Sequence, residues 1–81
     1  MKVIVKLFAS YREMAGASEL PLELPEGATV RDALDALSRR HASLGTQTYA
    51  PIAACNLIQV APGHRLHEGD ELAIFPPVSG G

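Results

Sequence analysis

The sequence predicts a two-layer α+β domain in which a single sheet is covered on one face by one main helix. Three observations carry this. Segments near both ends and around Leu22 alternate apolar and polar residues with the period of two that a strand requires. One central segment sets apolar residues three and four apart behind a capping signal, the mark of a helix. The chain has 81 residues, which is room for one small domain at a usual size of about 100 to 150 residues.

Taken in order, Lys2 to Phe8 places Val3, Val5 and Leu7 on one face and Lys2, Ile4, Lys6 and Phe8 on the other, a first strand. Residues from Ser10 to Ser18 read as a connection, too short and too broken by Gly16 for a full helix. Leu20, Leu22 and Leu24 then alternate with Glu19, Pro21 and Glu23 to give a second strand, forming a hairpin with the first. Pro21 has no N–H for a ladder, so this strand belongs at a sheet edge or pairs with the Pro21 nitrogen facing solvent. Pro25-Glu26-Gly27 turns the chain. Thr29 followed three residues later by Asp32 makes a variant capping box, and Val30, Ala33, Leu34 and Leu37 form one stripe. The helix should run from Val30 to His41 or Ala42, with Asp32 and Arg39-Arg40-His41 matched to its dipole and Gly45 ending it.

Gly45 to Pro51 has turn composition, and Ile52 to Val60 reads as one strand-like stretch interrupted by Asn56. Pro62-Gly63 and Glu68-Gly69-Asp70 mark two turns, and Glu71 to Phe75 closes as a strand with Leu72 and Ile74 inward. The globular domain is thus residues 1–75, and 76–81 form a flexible tail. If the last strand pairs with the first, that tail leaves the middle of the sheet as a free arm.

Composition narrows the function. Hydrophobic residues make up 47% and charged residues 20%, ordinary globular proportions. Seven basic and nine acidic side chains give a net charge of −2, with no basic run beyond Arg39-Arg40. This lacks the footprint of a nucleic-acid binder and points to protein partners. The single cysteine, Cys55, excludes an internal disulfide and Cys-rich zinc patterns, which suits a reducing compartment. The apolar opening is interrupted by Lys6 and followed by Arg12 and Glu13, unlike a signal or membrane segment, so the expected location is cytoplasmic. No glycine-rich phosphate loop is present, and the chain is expected to bind no cofactor and no ATP itself.

The chemically informative segment is Phe75-Pro76-Pro77-Val78-Ser79-Gly80-Gly81. Two prolines hold the backbone extended, and the residues from Pro76 onward reach roughly 20 Å, enough to enter another protein's cleft. Gly80 and Gly81 have no side chain, so a narrow channel can accept them and present the terminal carboxyl. That carboxylate is ionised and inert at neutral pH, so chemistry on it requires activation, for example as an acyl adenylate made by another enzyme. A frayed terminus is the bland alternative. Cys55 lies in the apolar run Ile52-Ala53-Ala54-Cys55 and reads as core rather than as a nucleophile. His64, His67, Glu68 and Asp70 lack metal-ligand spacing and read as a solvated turn.

Three segments carry a resemblance: Leu7-Phe8-Ala9 with Arg12-Glu13 and Gly16; Leu66-His67-Glu68-Gly69-Asp70-Glu71-Leu72-Ala73; and Phe75 to Gly81. Together they span nearly the whole chain, and in them it resembles the ubiquitin-like sulfur carriers of the MoaD and ThiS type, within which it is similar to the molybdopterin synthase small subunits. The resemblance implies a ubiquitin-like β-grasp fold, a mixed sheet with the first and last strands parallel and central. It implies that Gly81 is adenylated by an activating enzyme that uses ATP and is then converted to a thiocarboxylate. The arm Pro76, Pro77, Val78, Ser79 and Gly80 would enter the large synthase subunit, where the catalytic chemistry resides, and sulfur would pass to the pterin precursor of the molybdenum cofactor. A heterotetramer of small and large subunits is implied in the same way. Phe75 and the apolar sheet surface are candidates for the interface, with core as the equal alternative for Phe75. The chain departs from the family where relatives often follow Asn with Gly or a polar residue, since here Asn56 is followed by Leu57-Ile58. Two other readings fit the same tail: a ubiquitin-like modifier, or a sulfur carrier for thiamine or tRNA thiolation. In a third, a plain binding module, the tail is irrelevant and only the sheet surface matters.

Overall fold

In a computed structural model, which describes residues 1–41 and 51–76, the elements run in the following order. They are β1 (Lys2–Leu7), α1 (Ala9–Ala15), β2 (Glu19–Glu23), α2 (Val30–Arg40), β3 (Ile52–Cys55), β4 (Ile58–Val60) and β5 (Glu71–Phe75). The five strands form one sheet in the order β2-β1-β5-β3-β4. β1 and β5 are parallel and adjacent, and the remaining pairs are antiparallel. This is the mixed β-grasp sheet, with the first and last strands together inside it. The edge position of β2 follows from Pro21, which sits opposite Ile4 and has no N–H to offer a further strand.

Period-two patterning puts Val3, Val5 and Leu7 of β1, Leu22 of β2 and Leu72 and Ile74 of β5 on one face, all buried. Val30, Ala33 and Leu37 of α2 close that face, with Leu34 partly buried beside them. Fully burying each Val or Leu contributes about 1.5–3 kcal/mol, so this layer is the main source of stability. The capping box forms: Asp32 N–H donates to Thr29 Oγ1 at 3.3 Å and Thr29 N–H to Asp32 Oδ2 at 2.9 Å. α2 ends at Arg40 with His41 as its cap. Ala42, Gly45 and the turn segment up to Ala50 lie outside the described residues.

Two sequence expectations are corrected. The stretch from Ser10 to Ser18 contains a helix, α1, of seven residues. A helix this short is not held by propensity. Tyr11 holds it, being 2% exposed within the core, and Gly16 ends it in the left-handed region (φ 73) with its N–H on Arg12 O. The stretch from Ile52 to Val60 is a hairpin rather than one strand, because Asn56 (φ 50) and Leu57 (φ 75) both adopt positive φ between β3 and β4. This is the turn that hairpins favour, with leucine where glycine is usual. No helix among the described residues is long and apolar enough to cross a membrane.

Candidate functional site

The site is the end of β5, the point from which the sequence predicts a C-terminal arm. Because β1 and β5 run parallel with Leu7 beside Ile74, the residues that follow each strand emerge at the same end of the sheet. Phe8, just past β1, therefore meets Phe75, the last residue of β5. Their rings stack with centroids 4.5 Å apart and planes 13° from parallel. Phe8 remains 39% exposed and Phe75 half-buried, so the pair is an apolar platform at the surface and not part of the closed core. Ala9 beside it has φ 52, a left-handed conformation that costs a non-glycine residue about 1–2 kcal/mol. Pro76, directly after the platform, is half-buried.

The outer face of the sheet continues from this platform. Alternation puts Ile4 of β1, Ala73 and Phe75 of β5, and Ile52 and Ala54 of β3 on the face away from α2, with Ile52 opposite Phe75 and Ala54 opposite Ala73. No described helix covers this face. Its alanines make it flat. Lys6 Nζ and Glu71 Oε2, 3.5 Å apart and both substantially exposed, border it with an ion pair worth about 0–1 kcal/mol. On the inner face near the same end, Tyr11, Leu34, Leu37 and Ile74 line a hollow of about 60 Å³. Ligand pockets run from about 300 to 1,000 Å³, so the hollow is too small for a substrate. The Tyr11 hydroxyl borders it, buried and without a hydrogen-bond partner among the described residues, and burial raises its pKa.

The opposite end of β5 is held by Asp70. Its carboxylate accepts from His67 N–H at 2.8 Å, Asn56 Nδ2 at 3.0 Å and Cys55 Sγ at 3.4 Å. Burial alone would raise this carboxyl, but these bonds and the nearby His67 ring outweigh it and hold it below its ordinary value. Asn56 completes the clasp by accepting from Glu71 N–H at 3.0 Å. The same surroundings push the Cys55 thiol up to about 11, through burial first and then the Asp70 hydrogen bond and charge. Cys55 is thus a protonated core thiol at the far end from the arm, as the apolar run around it predicts. His67 lies 3.9 Å from Asp70 with its ring in solvent, and the backbone of His64 braces the start of α2 by accepting from Val30 N–H. Among the described residues no three His, Cys, Asp or Glu side chains gather as metal ligands.

Of the predicted site residues, Phe75 and Pro76 are described and lie together at the root. Pro77, Val78, Ser79, Gly80 and Gly81 lie outside the described residues. Sequence reasoning placed Phe8 on an outward face but missed its pairing with Phe75. The signal was available in the parallel first and last strands, the first followed by Phe8 and the last ending in Phe75.

Comparison with known proteins bears on this site. The model of the ThiS family matches residues 5–81. The molybdopterin synthase sulfur carrier subunit of Chlamydomonas reinhardtii is 39% identical over 83 residues, covering 100% of both chains. Small archaeal modifier protein 1 of Haloferax volcanii is also 39% identical, over 94% of this chain and 97% of that protein. Among solved structures, the putative molybdopterin converting factor subunit 1 from Pyrococcus furiosus superposes with a TM-score of 0.89 at 36% identity, covering 96% of this chain and 99% of that one.

Proposed function

The chain belongs to the ThiS family of sulfur carriers, and from that premise we propose that it is the sulfur-carrier subunit of a molybdopterin synthase. The observation that carries this reading is the launch point of the arm. Pro76 follows the central strand directly, beside the Phe8–Phe75 platform and a flat apolar face, which suits a tail that must enter a partner while the sheet docks against it. The Chlamydomonas relative that bears this role in its name covers the full chain.

In this reading the Gly81 carboxylate attacks the α-phosphate of ATP on a separate activating enzyme, releasing pyrophosphate and forming an acyl adenylate. A donor of sulfur at the hydrosulfide level then attacks the acyl carbon and expels AMP, leaving a thiocarboxylate. Sulfur is the better nucleophile at neutral pH because it is soft and stays anionic. The large synthase subunit receives the arm through Pro76, Pro77, Val78, Ser79 and Gly80. Sulfur passes to the pterin precursor and water restores the carboxylate of Gly81. This chain supplies the carrier, and the catalytic groups belong to its partners.

Removing Gly81 should abolish cofactor synthesis and leave the circular dichroism spectrum and melting temperature unchanged. A truncated chain that still supports molybdoenzyme activity would overturn the proposal. A second reading, a protein modifier joined through Gly81 to lysine, is favoured by the equal identity to the archaeal modifier. It predicts isopeptide-linked adducts of this chain in host extracts.

A further inference from the structure

The two outer strands of the sheet are finished differently. β2 carries Pro21 at its centre between Glu19 and Glu23, the proline and charges that block further strand pairing. β4 has neither. Ile58-Gln59-Val60 is uncharged, and no charged residue occurs from Pro51 to Gly63. At the tip, Leu57 is 90% and Ile58 69% exposed, and Leu57 holds φ 75, a conformation that bulky side chains rarely adopt. The hairpin thus keeps two large apolar side chains in water on a turn that is itself unfavourable to form.

The ladder fixes which backbone groups are free. Cys55 and Ile58 flank the turn, so they are the pair that exchanges both hydrogen bonds across β3 and β4. The next pair, Ala54 and Gln59, turns its groups away from each other, which leaves the Gln59 N–H and C=O facing the outer edge. We propose that this edge pairs with β4 of a second copy of the chain, antiparallel about a two-fold axis at Gln59.

The sequence around Gln59 is self-complementary: Leu57-Ile58-Gln59-Val60-Ala61 is apolar on both sides of one amide. The axis sets Ile58 against the second copy's Val60, Leu57 against the second copy's Ala61, and Gln59 against itself with two reciprocal backbone hydrogen bonds. No like charges meet, and the isologous contact closes at two copies. β4 and β5 both run antiparallel to β3, so in the pair the C-terminal ends of the two β5 strands, at Phe75, lie at opposite ends of the joined sheet. Three residues of strand bury less than the roughly 800 Å² per partner of a standard interface, so the dimer is weak and concentration-dependent.

The test is a dilution series of the isotope-labelled full chain, from roughly 20 µM to about 2 mM, the range in which so small an interface associates. Amide shifts at residues 57–61 should move with concentration, and the sedimentation mass should rise from 8.6 kDa toward twice that value. Gln59→Pro, which removes the outward N–H, and Ile58→Lys, which charges the edge, should each abolish both changes while keeping a dispersed spectrum. Ile58 is exposed, so the second variant decides the matter if the first does not fold. A single-chain mass and fixed shifts at about 2 mM would reject the second copy as partner and leave the edge to a strand of another protein. An association that survives Ile58→Lys would reject β4 as the contact.

Discussion

Replacing Asp70 by alanine probes the clasp that fixes the starting end of β5. The wild-type carboxylate accepts three hydrogen bonds, from His67 N–H, Asn56 Nδ2 and Cys55 Sγ–H. Hydrogen bonds to a charged group contribute about 1.5–3 kcal/mol each, and the exposed Asn56 and His67 donors recover part of that from water, so the expected loss is about 2–3 kcal/mol. With a urea slope of about 1 kcal/mol/M for a small domain, the midpoint should fall by about 2–3 M. The chain contains no tryptophan, so far-UV circular dichroism is the suitable signal.

The pH dependence gives an independent check. The folded pKa of Asp70 lies below its unfolded value, so its contribution is present above the ordinary carboxylate value of about 3.9 and is lost as pH falls through the folded pKa. The stability gap between wild type and Asp70→Ala should stay constant from neutral pH to about 5 and then close under stronger acid. A midpoint shift below about 0.5 M, or a gap that persists undiminished in strong acid, would refute the role assigned to this carboxylate.

Phe75→Ala removes the stack with Phe8, worth about 0.5–1.5 kcal/mol beyond its burial, and under the proposed function should weaken binding to a large synthase subunit at least tenfold by titration calorimetry. Thr29→Ala breaks the capping box at a cost of about 1 kcal/mol, a melting-temperature fall of about 4–8 °C by calorimetry. Cys55 should react with a disulfide reagent at pH 8 only as fast as the chain opens, and Cys55→Ala should load sulfur at the wild-type rate. Leu57→Gly should raise stability by about 1 kcal/mol in the same urea assay, since glycine occupies positive φ without strain.

The elements legible in the sequence are those decided locally. The stripe and capping box of α2, the alternation in β1, β2 and β5, and the edge position announced by Pro21 all depend on residues a few positions apart. α1 was hidden because its anchor, Tyr11, matters only once the core exists to receive it. The β3–β4 turn was hidden because leucine occupies a position where glycine would have marked it. At the candidate site, the prolines and glycines after Phe75 are the sequence ground for expecting an arm, which lies beyond the described residues, whereas the Phe8–Phe75 platform depends on the parallel pairing of strands from opposite ends of the chain. The clasp on Cys55 was equally invisible, since Asp70 reaches it only through the packing of two turns.

The central claim is that Gly81 carries sulfur. The direct measurement is the intact mass of the chain after incubation with ATP and a lysate of its own host, followed by fragmentation to locate any change. The expected result is the mass increase of one oxygen replaced by one sulfur, confined to Gly81 and dependent on ATP. An unchanged mass in a lysate that makes molybdenum cofactor would contradict it.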